Sequence, residues 1–301
     1  MVQPQALQVG DAVALIAPSS PILSETALQG AVDFVTKLGY RPVLGQSVRR
    51  RWGHLAGTDA ERAADVNEAF ANPKIRGIFA IRGGNGVGRL LDRIDFNTIR
   101  ANPKFFAGYS DITALHIAIN QQAKLITYHT PTLAETDFAH ADSYTLERLV
   151  SLIQQPTQTG PLLLPAHQPL RTLTPGVCMG VLVGGNLSCL SALMGTPYEV
   201  DTRGKLLFIE EVSTPLPRVD RMLHGLRLAG KFEQAIGVVF GDFTNCDASD
   251  TSLSLADILA GLEIHKPAVT NFACGHELVS TSLPLGRTYT LDATQRLLCL
   301  Q

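Results

Sequence analysis

The 301-residue chain carries 25 basic and 27 acidic residues, a formal net charge of −2, and is 45% hydrophobic and 17% charged. That balance supports a packed core and excludes a disordered, collagen-like or coiled-coil chain, and no excess of one sign is present to recruit nucleic acid or an anionic membrane. At about 100–200 residues per domain, the length predicts two domains or one large one.

In chain order, the apolar run at residues 12–17 reads as a buried strand ending in Pro18-Ser19-Ser20-Pro21. No Lys or Arg precedes it and Asp11 abuts it, so it lacks the form of a secretory signal. No stretch approaches the roughly 18 apolar residues of a membrane span. Residues 26–38 bring Leu28, Ala31, Val32, Phe34 and Val35 near one helical face before Gly39 ends the helix. A strand at 41–45 leads into Arg49-Arg50-Arg51, a short solvated loop. Thr58-x-x-Glu61 is a capping box, opening a helix to about Asn72. Residues 75–81 predict a strand, followed by a glycine-rich turn and a helix at 86–94; 104–109 predict a strand, followed by a helix at 111–122; 125–128 give one more strand. Repeated strand–helix units predict an α/β fold, with a parallel sheet covered by helices on both faces, over residues 1–160.

The segment 156–175 holds five prolines and no amphipathic helix, which predicts an interdomain linker at 161–175. Short strands follow in a C-terminal domain at 176–301, with helices at 187–194, 219–229 and 253–263 and a closing hairpin at 287–301. The five cysteines, 178, 189, 246, 274 and 299, are odd in number and form no CxxC pair. They read as reduced thiols, not as a disulfide framework or zinc finger, and with the N-terminal features they predict a cytoplasmic protein.

Three glycine-rich turns follow strands and precede helices. Such turns expose backbone N–H groups to an anion or a developing oxyanion. The first, Arg82-Gly83-Gly84-Asn85-Gly86-Val87-Gly88-Arg89, fits neither a dinucleotide fingerprint nor a P-loop. The second, Gly108-Tyr109-Ser110-Asp111, puts a serine on a strand-to-helix bend, as a nucleophile elbow does, although a simple helix-cap serine reads the same way. The third, Gly184-Gly185-Asn186-Leu187-Ser188, reads as a helix cap with Ser188 a weaker nucleophile candidate. A serine needs a base and the base an orienting acid. Of eight histidines, His116 and His224 lie in amphipathic helices and read as structural or surface groups; His54, His140 and His167 lie in polar loops; His129 and His276 follow strand ends. The run Leu206-Leu207-Phe208-Ile209 ends in Glu210-Glu211, where a buried carboxylate requires a partner, either in a site or in a salt bridge to Arg218 or Arg221. Asp242 and Asp247 are possible oxygen ligands in an ordinary loop, but no HExxH or zinc-type spacing supports a metal site, and no cofactor is expected.

The ordered set IAPSSP (16–21), AGTDAERAADVN (56–67), RGGNGVGRLLDRID (82–95), GYSDITAL (108–115), LVGGNLSCLSALMGTP (182–197), LLFIEE (206–211) with PRVDRML (217–223), and GHELVSTSLPLG (275–286) resembles the LD-carboxypeptidase family of serine peptidases, closest to its cytoplasmic murein-recycling branch. The resemblance implies a parallel α/β N-terminal domain joined to a smaller swivelling β/α domain, with the site in the cleft between them. It implies a Ser110–His276–Glu210 triad, and release of terminal D-alanine from murein tetrapeptide by a homodimer. Within that framework the Asp111 N–H and an N–H from Gly84 or Gly86 would meet the oxyanion, and Arg82 and Asn85 would contact substrate. Asn85 stands where the family usually carries an aromatic residue, and Thr130 where many members have Gly. Hydrolysis of a microcin C-type peptide-nucleotide, or ligand binding without catalysis by a two-domain protein, are the competing expectations.

Overall fold

The computed structural model describes residues 1–134, 141–247 and 253–301. The chain forms two compact units, Met1–Thr157 with Ser282–Leu285, and Gln158–Thr281 with Gly286–Gln301.

The first unit alternates β1 (Ala12–Ile16), α1 (Glu25–Lys37), β2 (Arg41–Leu44), α2 (Asp59–Ala71), β3 (Ile75–Ala80), α3 (Phe96–Ala101), β4 (Phe105–Gly108), α4 (Thr113–Ala118), β5 (Thr127–His129) and α5 (Ser143–Gln154). These five strands run parallel in the order β5-β4-β3-β1-β2. Because side chains alternate across a strand, neighbouring phenylalanines serve opposite faces. Phe105 stacks on Tyr128 in the layer that buries α1 and α5, while Phe106 stacks on Phe70 of α2. With both faces covered, β1 is buried at every position, which is why its sequence is an unbroken apolar run. The capping box at Thr58 and Glu61 forms as its spacing dictates. The order places β1 between β2 and β3, the point where successive connections leave in opposite directions, and the crevice at such a point is where α/β sheets hold ligands.

Two helices differ from expectation. Residues 86–94 form two short 3₁₀ turns, Val87–Arg89 and Leu91–Arg93. The side chain of Asn67 on α2 donates to the Arg93 carbonyl and accepts from the Asp95 N–H, ending the segment by tertiary contact. The span 111–122 begins as a 3₁₀ turn at Ser110–Ile112, continues as α4 and closes in a π turn at Ile119–Ala123.

The second unit comprises β6 (Gly160–Pro161), β7 (Arg171–Thr174), β8 (Val177–Asn186), α6 (Leu187–Ala192), β9 (Leu206–Val212), α7 (Leu216–Leu228), α8 (Lys231–Gln234), β10 (Gly237–Thr244), α9 (Leu255–Gly261), β11 (Ala268–Thr270), then β13 (Thr288–Asp292) and β14 (Leu297–Leu300) after β12 (Leu283–Leu285), which belongs to the first unit. Its sheet runs β6-β14-β13-β8-β9-β10-β11-β7, parallel from β8 to β11 and antiparallel at both flanks. The closing hairpin is present as β13 and β14. The proline-rich segment read as linker at 161–175 instead contributes strands to both edges of this sheet. Edges are where proline's missing N–H is tolerated. Meanwhile β12 lies antiparallel to β5 and completes the first sheet. Across β9 and β10 the register shifts between Phe240 and Phe243, a bulge next to Asp242. The apolar run at 267–275 is a strand only at β11, since Asn271 turns out of it at φ 63°.

Candidate active site

Ser110 leaves β4 with φ 62°, a left-handed backbone that a non-glycine residue adopts at a cost. Gly108, two residues earlier, has φ 154° and no room for a side chain: a Cβ would stand 3.1 Å from Ala80 Cβ and 3.2 Å from the Ala80 carbonyl oxygen. The Gly108 carbonyl accepts from the Thr130 N–H at 3.0 Å and lies 2.8 Å from His116 Nε2. His116, read from sequence as structural or surface, is fully buried, and burial pushes its imidazole down to about 4. It therefore acts as a neutral donor that fixes the bend. Ser110 opens the 3₁₀ turn Ser110–Ile112 just after the strand, the strand-to-helix placement that a nucleophile elbow also has.

The first glycine turn is built against this serine. A Cβ on Gly83 would lie 2.9 Å from Ser110 Cβ and 3.1 Å from its Oγ. Gly84, at φ 115°, faces Ser20 so closely that a Cβ would collide with the Ser20 side chain. The Ser20 N–H donates to the Gly83 carbonyl and the Asn85 N–H donates to Ser20 Oγ, each at 3.2 Å. Gly84 and Asn85 are exposed, and Arg82 and Gly86 are half-buried. Asp111 contributes a side chain to the turn. Its Oδ2 accepts from Ser19 Oγ at 2.5 Å and from the Val87 N–H at 2.9 Å. From the other side Arg62 of α2, wholly buried, donates to the carbonyls of Pro18 at 2.6 Å, Gly86 at 3.0 Å and Gly57 at 3.2 Å, and pairs with Asp59 at 2.6 Å. The loops after β1 and β3 are thus clamped by one carboxylate and one guanidinium. Sequence reasoning missed both clamps: it read only the capping box and extent of the helix that carries Arg62, and the Asp111 side chain had no assigned partner.

In the second unit Glu210 and His276 come together. His276 Nδ1 lies 2.8 Å from Glu210 Oε2, with Glu210 fully buried at the end of β9 and the imidazole 13% exposed. With the proton on Nδ1, the ring donates to the carboxylate and keeps the Nε2 lone pair for a proton acceptor's role. Glu211 points the other way. Its two oxygens accept from Ser188 N–H and Oγ at 2.7 Å, from the Val212 N–H at 2.8 Å and from Asn186 Nδ2 at 3.3 Å. Those bonds, not a salt bridge to Arg218 or Arg221, stabilise it. They also engage Ser188 in holding the third glycine turn, where Asn186 caps α6.

Asp242 is not in a loop, as the sequence suggested, but on β10, and it is buried. Its Oδ1 accepts from Gln168 Nε2 at 2.6 Å and its N–H donates to the Cys274 carbonyl at 3.0 Å. Burial, with Glu277 and Glu210 nearby, pushes its carboxyl up to about 7 against the hydrogen bond from Gln168 and the charge of His276. Among the described residues no three His, Cys, Asp or Glu side chains converge as a metal cage. His140 lies outside the described residues.

Comparison with known proteins shows the family. Residues 13–130 match the model of the LD-carboxypeptidase N-terminal domain, and residues 179–291 that of the LD-carboxypeptidase C-terminal domain. A probable murein peptide carboxypeptidase of Bacillus subtilis is 40% identical over 298 residues, covering 98% of this chain and 92% of its own. The microcin C7 self-immunity protein of Escherichia coli is 27% identical over 318 residues, covering 95% and 92%. The crystal structure of muramoyltetrapeptide carboxypeptidase from Oxalobacter formigenes superposes with a TM-score of 0.82 at 26% identity, over 96% of this chain and 97% of that one.

Proposed function

The chain belongs to the LD-carboxypeptidase family, and from that premise we propose that it is a serine carboxypeptidase releasing terminal D-alanine from murein tetrapeptide by cleaving an L–D peptide bond. The left-handed Ser110, held on the bend between β4 and α4, carries this reading. Ser110 Oγ attacks the carbonyl carbon while His276 Nε2 takes its proton. Glu210 keeps the imidazole in the tautomer whose Nε2 carries no proton and stabilises the imidazolium that forms. The Asp111 N–H and an N–H of Gly84 or Gly86 receive the oxyanion, each such donor being worth about 10²–10³ in kcat. The C–N bond breaks as the imidazolium protonates the leaving amine, D-alanine departs, and water hydrolyses the acyl-serine with the same base. Arg82 grips the substrate's terminal carboxylate through paired N–H donors, and Asn85 lines the same wall.

The five cysteines are all free thiols, which fits a reducing compartment. We place the reaction in the cytoplasm, in peptidoglycan recycling, with a homodimer as the working form. Among the described residues no helix is long and apolar enough to cross a membrane. The test is mass spectrometry of products from L-Ala-D-Glu-diaminopimelate-D-Ala with the wild type and Ser110→Ala. D-Alanine release by the wild type alone is the expected result, and undiminished release by Ser110→Ala would remove the serine from the reaction. An aminoacyl sulfamoyl nucleotide in the same panel separates the two branches of the family: cleavage of it in preference to the tetrapeptide would reassign the substrate.

A further inference from the structure

The carboxyl group of Asp242 has no place in the reaction as written, yet it lies against the base. A Cβ on Gly275 would stand 2.8 Å from Asp242 Cβ, and 3.4 Å from both Asp242 Oδ2 and Glu210 Oε2. The two carboxyl oxygens thus flank one point on the backbone that carries His276. The β10 bulge turns Asp242 there, and its N–H bond to the Cys274 carbonyl fixes it to the same segment. Gln168 satisfies Oδ1, whereas Oδ2 is buried with no hydrogen-bond partner among the described residues, as is Glu210 Oε1. A buried, unpartnered carboxylate oxygen is costly as an anion and tolerable in a neutral carboxyl.

We infer that Asp242 is a positioning residue for the base, one whose gain or loss of a proton sets how readily His276 becomes an imidazolium. The inference rests on His276 being the base of the proposed peptidase. The charged and titratable groups facing Asp242 are Glu210 from β9, and His276, Glu277 and the Cys274 thiol from the segment after β11; Glu210, Glu277 and His276 act on Asp242, and Asp242 in turn acts on the thiol. While Asp242 is neutral, Glu210 is the carboxylate that supports the imidazolium. Once Asp242 loses its proton, a second negative charge favours the same imidazolium, so the base surrenders its proton at higher pH. Because burial raises Asp242 into the neutral range, the two groups titrate as a coupled pair and not one by one.

The experiment is an NMR titration of the His276 Cε1–H in full-length protein with labelled histidine, in a Ser110→Ala background, with the resonance assigned by its loss in His276→Gln. Asp242→Asn keeps an acceptor for Gln168 and removes the titration. It is expected to convert two overlapping steps into one and to lower the His276 midpoint by roughly half a pH unit. In the catalytically intact background the acid limb of kcat/KM shifts likewise, a rise of about threefold at pH values well below its midpoint. Gln168→Leu, which removes the hydrogen bond to Oδ1, is expected to move the Asp242 step to higher pH, and it serves as the independent variant should Asp242→Asn fold poorly. Superimposable His276 titrations in wild type and variants overturn the inference. The NMR readout needs no turnover: a coupled titration in a protein that releases no D-alanine would refute the peptidase reading and leave the coupling standing.

Discussion

Ser110 holds a conformation that glycine would adopt with less strain. Replacing it by glycine is expected to raise stability by about 1 kcal/mol while abolishing D-alanine release, read as a higher denaturant midpoint with no product. Gly83 is the converse case, a residue whose missing side chain makes room for Ser110. Gly83→Ala puts a methyl 3.1 Å from Oγ, and a displacement approaching 1 Å costs about 10² in rate. The expected outcome is a fall in kcat of that order with the fold retained by circular dichroism. Both positions lie in strand-to-helix turns that the sequence marks by their glycines, although the same pattern also suits a helix-cap serine. Arg82 was nominated from the same turn, and Arg82→Ala is expected to raise the KM for tetrapeptide; an unaltered KM would remove it from the carboxylate site.

At the level of elements, the loops after β1 and β3 owe their shape to α2, through Arg62, and to the start of α4, through Asp111. Arg62→Met strands three carbonyl acceptors and is expected to destabilise the protein by about 3 kcal/mol, measured by denaturant unfolding. Asp111→Ala removes the one oxygen that accepts from both Ser19 and Val87, so a lower kcat with little change in KM is expected as the glycine turn loosens. None of this was readable from spacing. The burial of Arg62 follows from carbonyls 24 and 44 residues away, which no local pattern contains. The strands, by contrast, were legible, because covering both faces of a sheet demands apolar runs. The helix expected at 86–94 is two 3₁₀ turns instead, entered from Gly86 at φ 122° and held by Asp111 at Val87 and by Asn67 at Arg93, constraints that periodicity does not contain. Asp242 was read as loop for a similar reason: its burial depends on the bulge and on Cys274 beyond β11.

For the molecule as a whole, two buried groups give stability opposite pH dependences. His116 is pushed down to about 4 when folded against an ordinary value of 6.5, so the unfolded chain binds the extra proton between those limits. Its contribution is present above about 6.5 and lost as pH falls through about 4. Asp242 is raised from 3.8 to about 7, so the folded state holds the extra proton. Its contribution is present below about 4 and lost as pH rises through about 7. The two windows overlap between about 4 and 6.5, where the slopes oppose and largely cancel, so calorimetry should show little change in stability across that range, and Asp242→Asn should uncover the rise from about pH 4 to 6.5 that His116 supplies. The division into two domains was also legible, from the change in composition after residue 155, but the return of β12 was not. Three residues from a distant part of the chain pair with β5 through register alone, and no local pattern announces such a partner.

That returning strand restricts how the protein can be dissected. A gene truncated after Thr157 would encode a sheet whose β5 margin lacks its neighbour, leaving unpaired backbone donors and acceptors open to other chains. The amputated fragment is expected to self-associate, and supplying Ser282–Leu285 through a short engineered tether should restore its solubility.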